Sequence, residues 1–417
     1  MHDFQYLNGS LHCESVSLEK IAEKEGTPFY CYSRHTLARH VKSYSDAFKD
    51  IKNLICFAVK ANSNIGVLRE LIKEGAGCDI VSGGELFRAL KAGCDPRKIV
   101  YAGVGKTEEE IEYALKSEIL MFNVESSQEL FAIDKVAKRL DKKAAVALRV
   151  NPDVDPKTHP YISTGLKKNK FGISIDLALE EYRLAARMDN IEIVGVHQHI
   201  GSQITQISPF VDAVERLLPF VEKLREINIH IKYIDVGGGL GITYKDESPP
   251  LPAELAKEIV PLLKKTDCTI VFEPGRVIVG NAGILVSKVL YAKKNEGKTF
   301  YVVDAAMNDL VRPSLYQAHM SIQPISHASL ERGKVEADVV GPICESGDFL
   351  AKDRVLPEFK QGEMMAVMGA GAYGFTMSSN YNSRRRVAEI LVTGDTYKVV
   401  RARETWEDLV RGETMAD

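Results

Sequence analysis

Phe57-Ala58-Val59-Lys60-Ala61-Asn62 is an apolar run that breaks off on a lysine. The run reads as the end of a buried strand. An ammonium there is either a solvated rim charge, the commoner fate of a lysine, or the amine of an active site. In a poorly solvated pocket such an amine loses affinity for its proton and can form a Schiff base with a carbonyl compound. The rest of the chain decides between the two.

Seven further runs of the same kind lie downstream. With 54–60 as the first, apolar and β-branched strand candidates stand at 78–82, 99–102, 119–124, 144–150, 192–199, 231–236 and 269–273, with amphipathic helical stretches such as 65–74 and 84–92 between them. Eight βα units over roughly 240 residues predict a closed parallel (β/α)8 barrel, with catalytic groups at the C-terminal ends of its strands. An open doubly wound sheet also explains the alternation, but it spreads such groups along a crevice edge. The barrel is expected over 36–278. Beyond it strand-like runs dominate, at 285–292, 299–304, 337–340 and 364–368, and the N-terminus offers Pro28-Phe29-Tyr30-Cys31-Tyr32. Residues 1–35 and 279–417 are therefore expected to form a second, mainly antiparallel β domain, since chain ends often lie close together.

Two domains suit a chain of 417 residues, 45% hydrophobic and 27% charged. A net charge of -3, with Arg384-Arg385-Arg386 the one tight basic cluster, gives no footprint for nucleic acid and favours a small-molecule substrate. Seven cysteines are scattered without a Cys-x-x-Cys pair, so neither a zinc site nor a disulfide framework is expected. The N-terminus has no signal pattern and no apolar run is long enough for a membrane, which makes the cytoplasm the expected location.

Polar residues fall where the strands should end: Asp79 and Ser82 after the second, Asn123 and Glu125 on the fourth, Arg149 and Asn151 on the fifth, His197 and His199 on the sixth. After the seventh comes Asp235-Val236-Gly237-Gly238-Gly239-Leu240-Gly241. Its three glycines let backbone N–H groups approach an anion, at the late strands where such barrels hold phosphate; tight packing explains a glycine run equally well. The eighth ends Phe272-Glu273-Pro274-Gly275-Arg276, adding a carboxylate, a second glycine turn and a guanidinium. A phosphate site beside a buried carboxylate and a strand-end lysine describes a pyridoxal-phosphate pocket. In His197-Gln198-His199-Ile200-Gly201-Ser202-Gln203, Ser202 is available to the phosphate and His199 can stack flat on a pyridine face. A histidine here otherwise reads as a core residue or a metal ligand, and no third ligand follows at a matching spacing, so no metal is expected.

Tyr30, 58–62, 197–203, 235–239, 273–276, Gly341-Pro342-Ile343-Cys344-Glu345-Ser346-Gly347-Asp348 and Gly371-Ala372-Tyr373-Gly374 extend over nearly the whole chain. In this order they resemble the alanine-racemase-like pyridoxal-phosphate decarboxylases, and most closely the members that act on diaminopimelate in the last step of lysine biosynthesis. The resemblance implies pyridoxal 5'-phosphate carried on Lys60, with Asp79, His199, Ser202, Gly237, Gly238, Gly239, Glu273, Pro274, Gly275, Arg276 and Tyr373 around it. It also implies a β domain that completes the site and a homodimer with shared active sites. Cys344 is implied to return a proton to the carbanion from across the dimer interface; a lone cysteine otherwise reads as a small buried hydrophobe.

If Glu273 faces the pyridine nitrogen, as the resemblance implies, a carboxylate keeps that nitrogen protonated and the cofactor becomes a full electron sink. Racemases of the family carry arginine there, so glutamate favours decarboxylation; the alternative is an ion pair with Arg276. For the substrate, Arg312-Pro313-Ser314-Leu315-Tyr316 offers a guanidinium and a phenol that with Arg276 can clamp a second carboxylate, and Tyr373 joins them. Glu345, where decarboxylases of basic amino acids tend to carry aspartate, would hold a distal ammonium. Each of these is otherwise a loop ion pair of little weight. A distal carboxylate plus a distal ammonium is the far end of meso-2,6-diaminopimelate, whose decarboxylation at the D-centre gives L-lysine. Decarboxylases of carboxynorspermidine, ornithine or arginine are the alternatives, as is a non-catalytic relative, which could dispense with Lys60, Glu273 and Cys344.

Overall fold

The protein is described by a computed structural model covering residues 2–156, 158, 164 and 170–416. These fall into two compact units, one drawn from 39–243 and 247–278, the other from 1–38, 244–246 and 279–417. The short excursion at 244–246 has no signal in the sequence.

In the first unit eight strands form a closed parallel ring: Asn53–Ala58, Gly77–Ile80, Ile99–Tyr101, Met121–Val124, Ala144–Asn151, Ile191–His197, Tyr233–Asp235 and Thr269–Phe272. Each pairs in parallel with the next, and Thr269–Phe272 returns to Asn53–Ala58. The open-sheet alternative is thereby excluded. Strands buried on both faces must be mostly apolar, which is why these segments read as hydrophobic runs with few polar residues, such as Asp79, Asn123 and Arg149, near their ends. Inside the ring Cys56, Val100, Met121, Ala147, Val194 and Val271 pack into one cluster.

The connections are fixed by caps set directly behind the strand ends. Asn64 accepts from the amides of Gly66 and Val67 to start Ile65–Lys73, Ser82 caps Gly83–Ala92, and Thr107 with Glu110 forms a capping box for Glu108–Ser117. Each such cap contributes about 1 kcal/mol. Ile65–Lys73 also buries Val67, Leu68 and Leu71, at about 1.5–3 kcal/mol per side chain, and so anchors the turn before it. That turn carries Lys60. The expected strand through residue 60 in fact stops at Ala58, and Lys60 lies in a 3-10 turn, Val59–Ala61. The Asn62 side chain accepts from the Asn64 amide at 3.1 Å and bends the chain there.

In the second unit Phe29–Ser33 runs antiparallel to Gly283–Asn295 on one side and parallel to Ala388–Thr393 on the other. Lys298–Val303, Lys334–Val340, Phe349–Pro357, Ile322–Pro324, Met364–Val367 and Thr396–Arg401 extend this sheet, which is mainly antiparallel. Phe4–Leu7, Ser10–Cys13 and Val16–Ser17 make a separate small sheet. Leu18, Ile21, Phe29, Cys31, Ile284, Val286 and Ile390 form the core between these layers.

Candidate active site

At the C-terminal mouth of the barrel Lys60 donates from Nζ to Oδ2 of Asp79 at 2.5 Å. Asp79 is fully buried while the lysine side chain is 37% exposed, so the amine is held by its partner yet reachable. Burial, then the nearby charge of Glu273, push the Asp79 carboxyl up to about 7 against the pull of Lys60. The backbone brings these groups together: the Ala58 amide donates to the Pro274 carbonyl at 3.0 Å, and the Glu273 amide to the Gly237 carbonyl at 2.9 Å.

Glu273 is buried at the end of the eighth strand. Asn123 Nδ2 donates to its Oε1 at 3.1 Å and to Asp235 Oδ2 at 3.0 Å, and His197 Nε2 stands 3.4 Å from Oε2. Burial alone would raise the Glu273 carboxyl, but the His197 imidazole, with Lys60, outweighs it and holds the group well below the ordinary carboxylate range. It meets Asn123 and His197 and does not form the alternative ion pair with Arg276. His197, Asp235 and Glu273 offer ligand atoms within 4.8 Å of one another, a set assembled from three strand ends that linear spacing conceals.

His199 lies two residues beyond its strand. Its Nδ1 accepts from the Gly238 amide at 3.1 Å, which puts the proton on Nε2. Burial, helped by the Arg149 guanidinium, lowers its pKa to about 3, so the ring is neutral and free to stack. Arg149 in turn pairs with buried Glu125 at 2.7 Å.

The glycine run has a partly different use from the expected one. Gly237, at φ 71°, would place a Cβ 2.5 Å from the Gln198 carbonyl, and Gly238 would place one 2.0 Å from the Glu273 carbonyl. Only glycine permits this approach of neighbouring strand ends. The amides of Gly237 and Gly238 donate to Asp235 Oδ1 and His199 Nδ1, so two of the amides expected at an anion are engaged inside the protein. The groups suited to an anion that do converge are side chains: buried Arg276 donates from Nη2 to Ser202 Oγ at 3.1 Å, just after Gly275.

Among the described residues, the barrel site also contains buried polar atoms without a hydrogen-bond partner, namely Asp79 Oδ1, Asn123 Oδ1 and both ring nitrogens of His197. Such shortfalls are rare in folded proteins unless a bound polar group or water makes them up. Together with a reachable lysine, a neutral histidine, a charged carboxylate and an Arg–Ser pair, they fit pyridoxal phosphate.

The second unit carries the other expected residues. Arg312 begins the short helix Arg312–Tyr316; its guanidinium is buried, lies 4.4 Å from the Tyr244 ring centroid and contacts Met320. Cys344, Glu345 and Ser346 are all exposed, so Cys344 is not the small buried hydrophobe a lone cysteine usually is. Their loop is held from beneath by buried Asp348, which accepts from the amides of Met307 and Ile343 at 2.7 and 2.8 Å. Tyr373 occupies left-handed backbone at φ 55°, and a Cβ on the next residue, Gly374, would meet the Tyr30 ring at 2.8 Å. The Tyr30 hydroxyl donates to the carbonyl of Asp309, a buried acid whose Oδ2 accepts from the Ala306 amide.

Residues 34–280 match the family model for the pyridoxal-dependent decarboxylase, pyridoxal binding domain. Over 415 residues the chain is 53% identical to a diaminopimelate decarboxylase of Pseudomonas aeruginosa, covering 100% of this chain and 99% of that one. The crystal structure of diaminopimelate decarboxylase from Helicobacter pylori complexed with L-lysine is similar at TM-score 0.91 and 45% identity, over 94% of this chain and 98% of that one. A second, from M. jannaschii in co-complex with L-lysine, is similar at TM-score 0.94 and 37% identity, over 100% and 99%.

Proposed function

This chain belongs to the diaminopimelate decarboxylases, within the pyridoxal-dependent decarboxylases, and from that premise we propose that it converts meso-2,6-diaminopimelate at its D-centre into L-lysine and carbon dioxide. The observation that carries the reading is Glu273, a buried carboxylate that accepts from Asn123, stands against His197 and is kept charged there by His197 first and Lys60 second. Pyridoxal phosphate, when bound, supplies a carbonyl for amines and a ring that takes up the electron pair left by departing carbon dioxide. The residues that would hold it are Lys60 at the carbonyl, Glu273 at the ring nitrogen, His199 at the ring face, and Ser202, Gly275 and Arg276 at the phosphate, with Asp79, Pro274, Gly237–Gly239 and Tyr373 around them.

The work of the protein is then electrostatic. A charged Glu273 keeps a proton on the ring nitrogen, and a neutral His199 adds no competing charge. Asp79 holds the Lys60 amine in one place. Arg276, Arg312, Tyr316 and Tyr373 bind the substrate, the guanidiniums taking carboxylates, and Glu345 takes the distal ammonium. Cys344 returns the proton, a role that suits a thiol because it is protonated near neutrality yet ready to donate.

Cys344 and Glu345 act, on this reading, in the site of a second copy within a homodimer; the exposure of three consecutive residues, Cys344 to Ser346, supports it. A cytoplasmic location is in keeping with seven cysteines scattered without a Cys-x-x-Cys pair, which suggest no disulfide framework. Among the described residues no helix is long and apolar enough to cross a membrane.

The test is formation of lysine and carbon dioxide from meso-diaminopimelate, with ornithine, arginine and L,L-diaminopimelate as competitors. Preferred turnover of ornithine or arginine overturns the substrate assignment.

A further inference from the structure

Behind Glu273 lies a layer of side chains to which the proposed reaction gives no role. Asp235 comes from the end of the seventh strand and Asn123 from the fourth, across the barrel; both are completely buried. One amide group, Asn123 Nδ2, donates to both carboxyls, at 3.0 Å to Asp235 and 3.1 Å to Glu273. The Gly237 amide donates to the other oxygen of Asp235 at 2.9 Å. Two carboxyls so close in a dry interior cannot both carry charge cheaply. We infer that Asp235 and Asn123 are positioning residues for Glu273, fixing the orientation of its carboxylate and assigning the single negative charge of the pair to it.

The hydrogen-bond inventory fits one arrangement. Oδ1 of Asp235 accepts from Gly237, which leaves Oδ2 to accept from Asn123 and, as the hydroxyl of a neutral acid, to donate to Glu273. Glu273 then receives donors from Asn123 and Asp235 and stands against His197 Nε2. Burial and the Glu273 charge both raise the Asp235 carboxyl well above the carboxylate range, in the direction this requires. The same inventory argues against a cation held by His197, Asp235 and Glu273, because N–H donors from Asn123 and Gly237 already point at both carboxyls. A carboxylate restrained in this way costs no reorganisation when a proton on its partner nitrogen must be stabilised.

The inference rests on the decarboxylase reading, and Asp235→Asn and Asn123→Leu test it. Asparagine keeps the shape of Asp235 but turns an N–H toward the Asn123 donor; leucine keeps the volume of Asn123 and removes the donor. In each holoenzyme the expected result is cofactor still fixed to Lys60 by borohydride, a weakened visible circular-dichroism band of the bound cofactor, and kcat reduced about 10- to 100-fold at nearly constant KM, the usual loss when a group that orients a functional residue is removed. If one variant does not fold, the other decides. A wild-type dichroism band with wild-type kcat in a folded variant overturns the positioning role. Absence of fixed cofactor and of lysine formation in the wild-type protein overturns the decarboxylase reading instead.

Discussion

The two units carry their functional groups in opposite ways. In the barrel, Lys60, Asp79, Asn123, His197, Asp235 and Glu273 come from six different strand ends, and all but the lysine are buried. In the β unit, Arg312 rides on a five-residue helix, while Cys344 and Glu345 are exposed on a loop pinned by Asp348. The contrast separates two kinds of proposed site group: charges tuned by burial inside a closed ladder, and groups whose value depends on where a loop carries them.

The sharpest cut between them falls on Lys60. Lys60→Ala should abolish fixation of cofactor by borohydride and lower turnover on the order of 10⁴-fold or more; peptide mapping that found the label on another lysine would break the barrel assignment. Cys344→Ala should cost about 10²–10⁴-fold while leaving cofactor fixation intact. Mixing the two variants probes the loop directly. Random subunit exchange in a two-fold dimer gives half the dimers one intact site, restoring about a quarter of wild-type activity. No recovery despite demonstrated exchange means that Cys344 serves its own subunit.

Arg312→Ala should remove about 2–5 kcal/mol of transition-state stabilisation by leaving a substrate carboxylate unpaired, whereas Glu345→Asp should chiefly raise KM; steady-state kinetics unchanged in both would reduce this part of the β unit to a structural element. The smallest effect concerns stability alone. Burial pushes the Asp309 carboxyl up to about 7, so the group stabilises the fold fully below its unfolded pKa near 4, and that contribution is lost as the pH rises through 7. Urea unfolding at pH 4.5 and pH 8 should reveal a loss of about 2–4 kcal/mol that Asp309→Asn lacks. An equal loss in the variant would mean that Asp309 titrates normally.

The same contrast governs what the sequence discloses. All eight barrel strands are legible because burial on both faces demands mostly apolar runs, and a polar residue near the end of such a run stands out, as Lys60, Asp79 and Glu273 do. Their mutual contacts are not legible: Asn123 meets Glu273 only because the ring closes, and no local pattern records closure. Phe349–Pro357 and Thr396–Arg401 pass unnoticed because their exposed charges, Lys352, Asp353 and Lys398 among them, break the apolar pattern. The roles of Cys344 and Glu345 come from resemblance alone, since an exposed loop carries no periodicity from which to argue.

Phe29–Ser33 sits between strands that begin at Gly283 and Ala388, and this placement sets a timetable. A ribosome adds about 5–20 residues per second, so the residues of the barrel are all made while this N-terminal strand still lacks both neighbours. The wait until its second partner emerges is roughly 20–70 s. For that interval Phe-Tyr-Cys-Tyr-Ser is an apolar edge with nothing to pair with, of the kind that invites association between nascent chains. A segment wholly buried in the finished protein is thus its most exposed liability during synthesis.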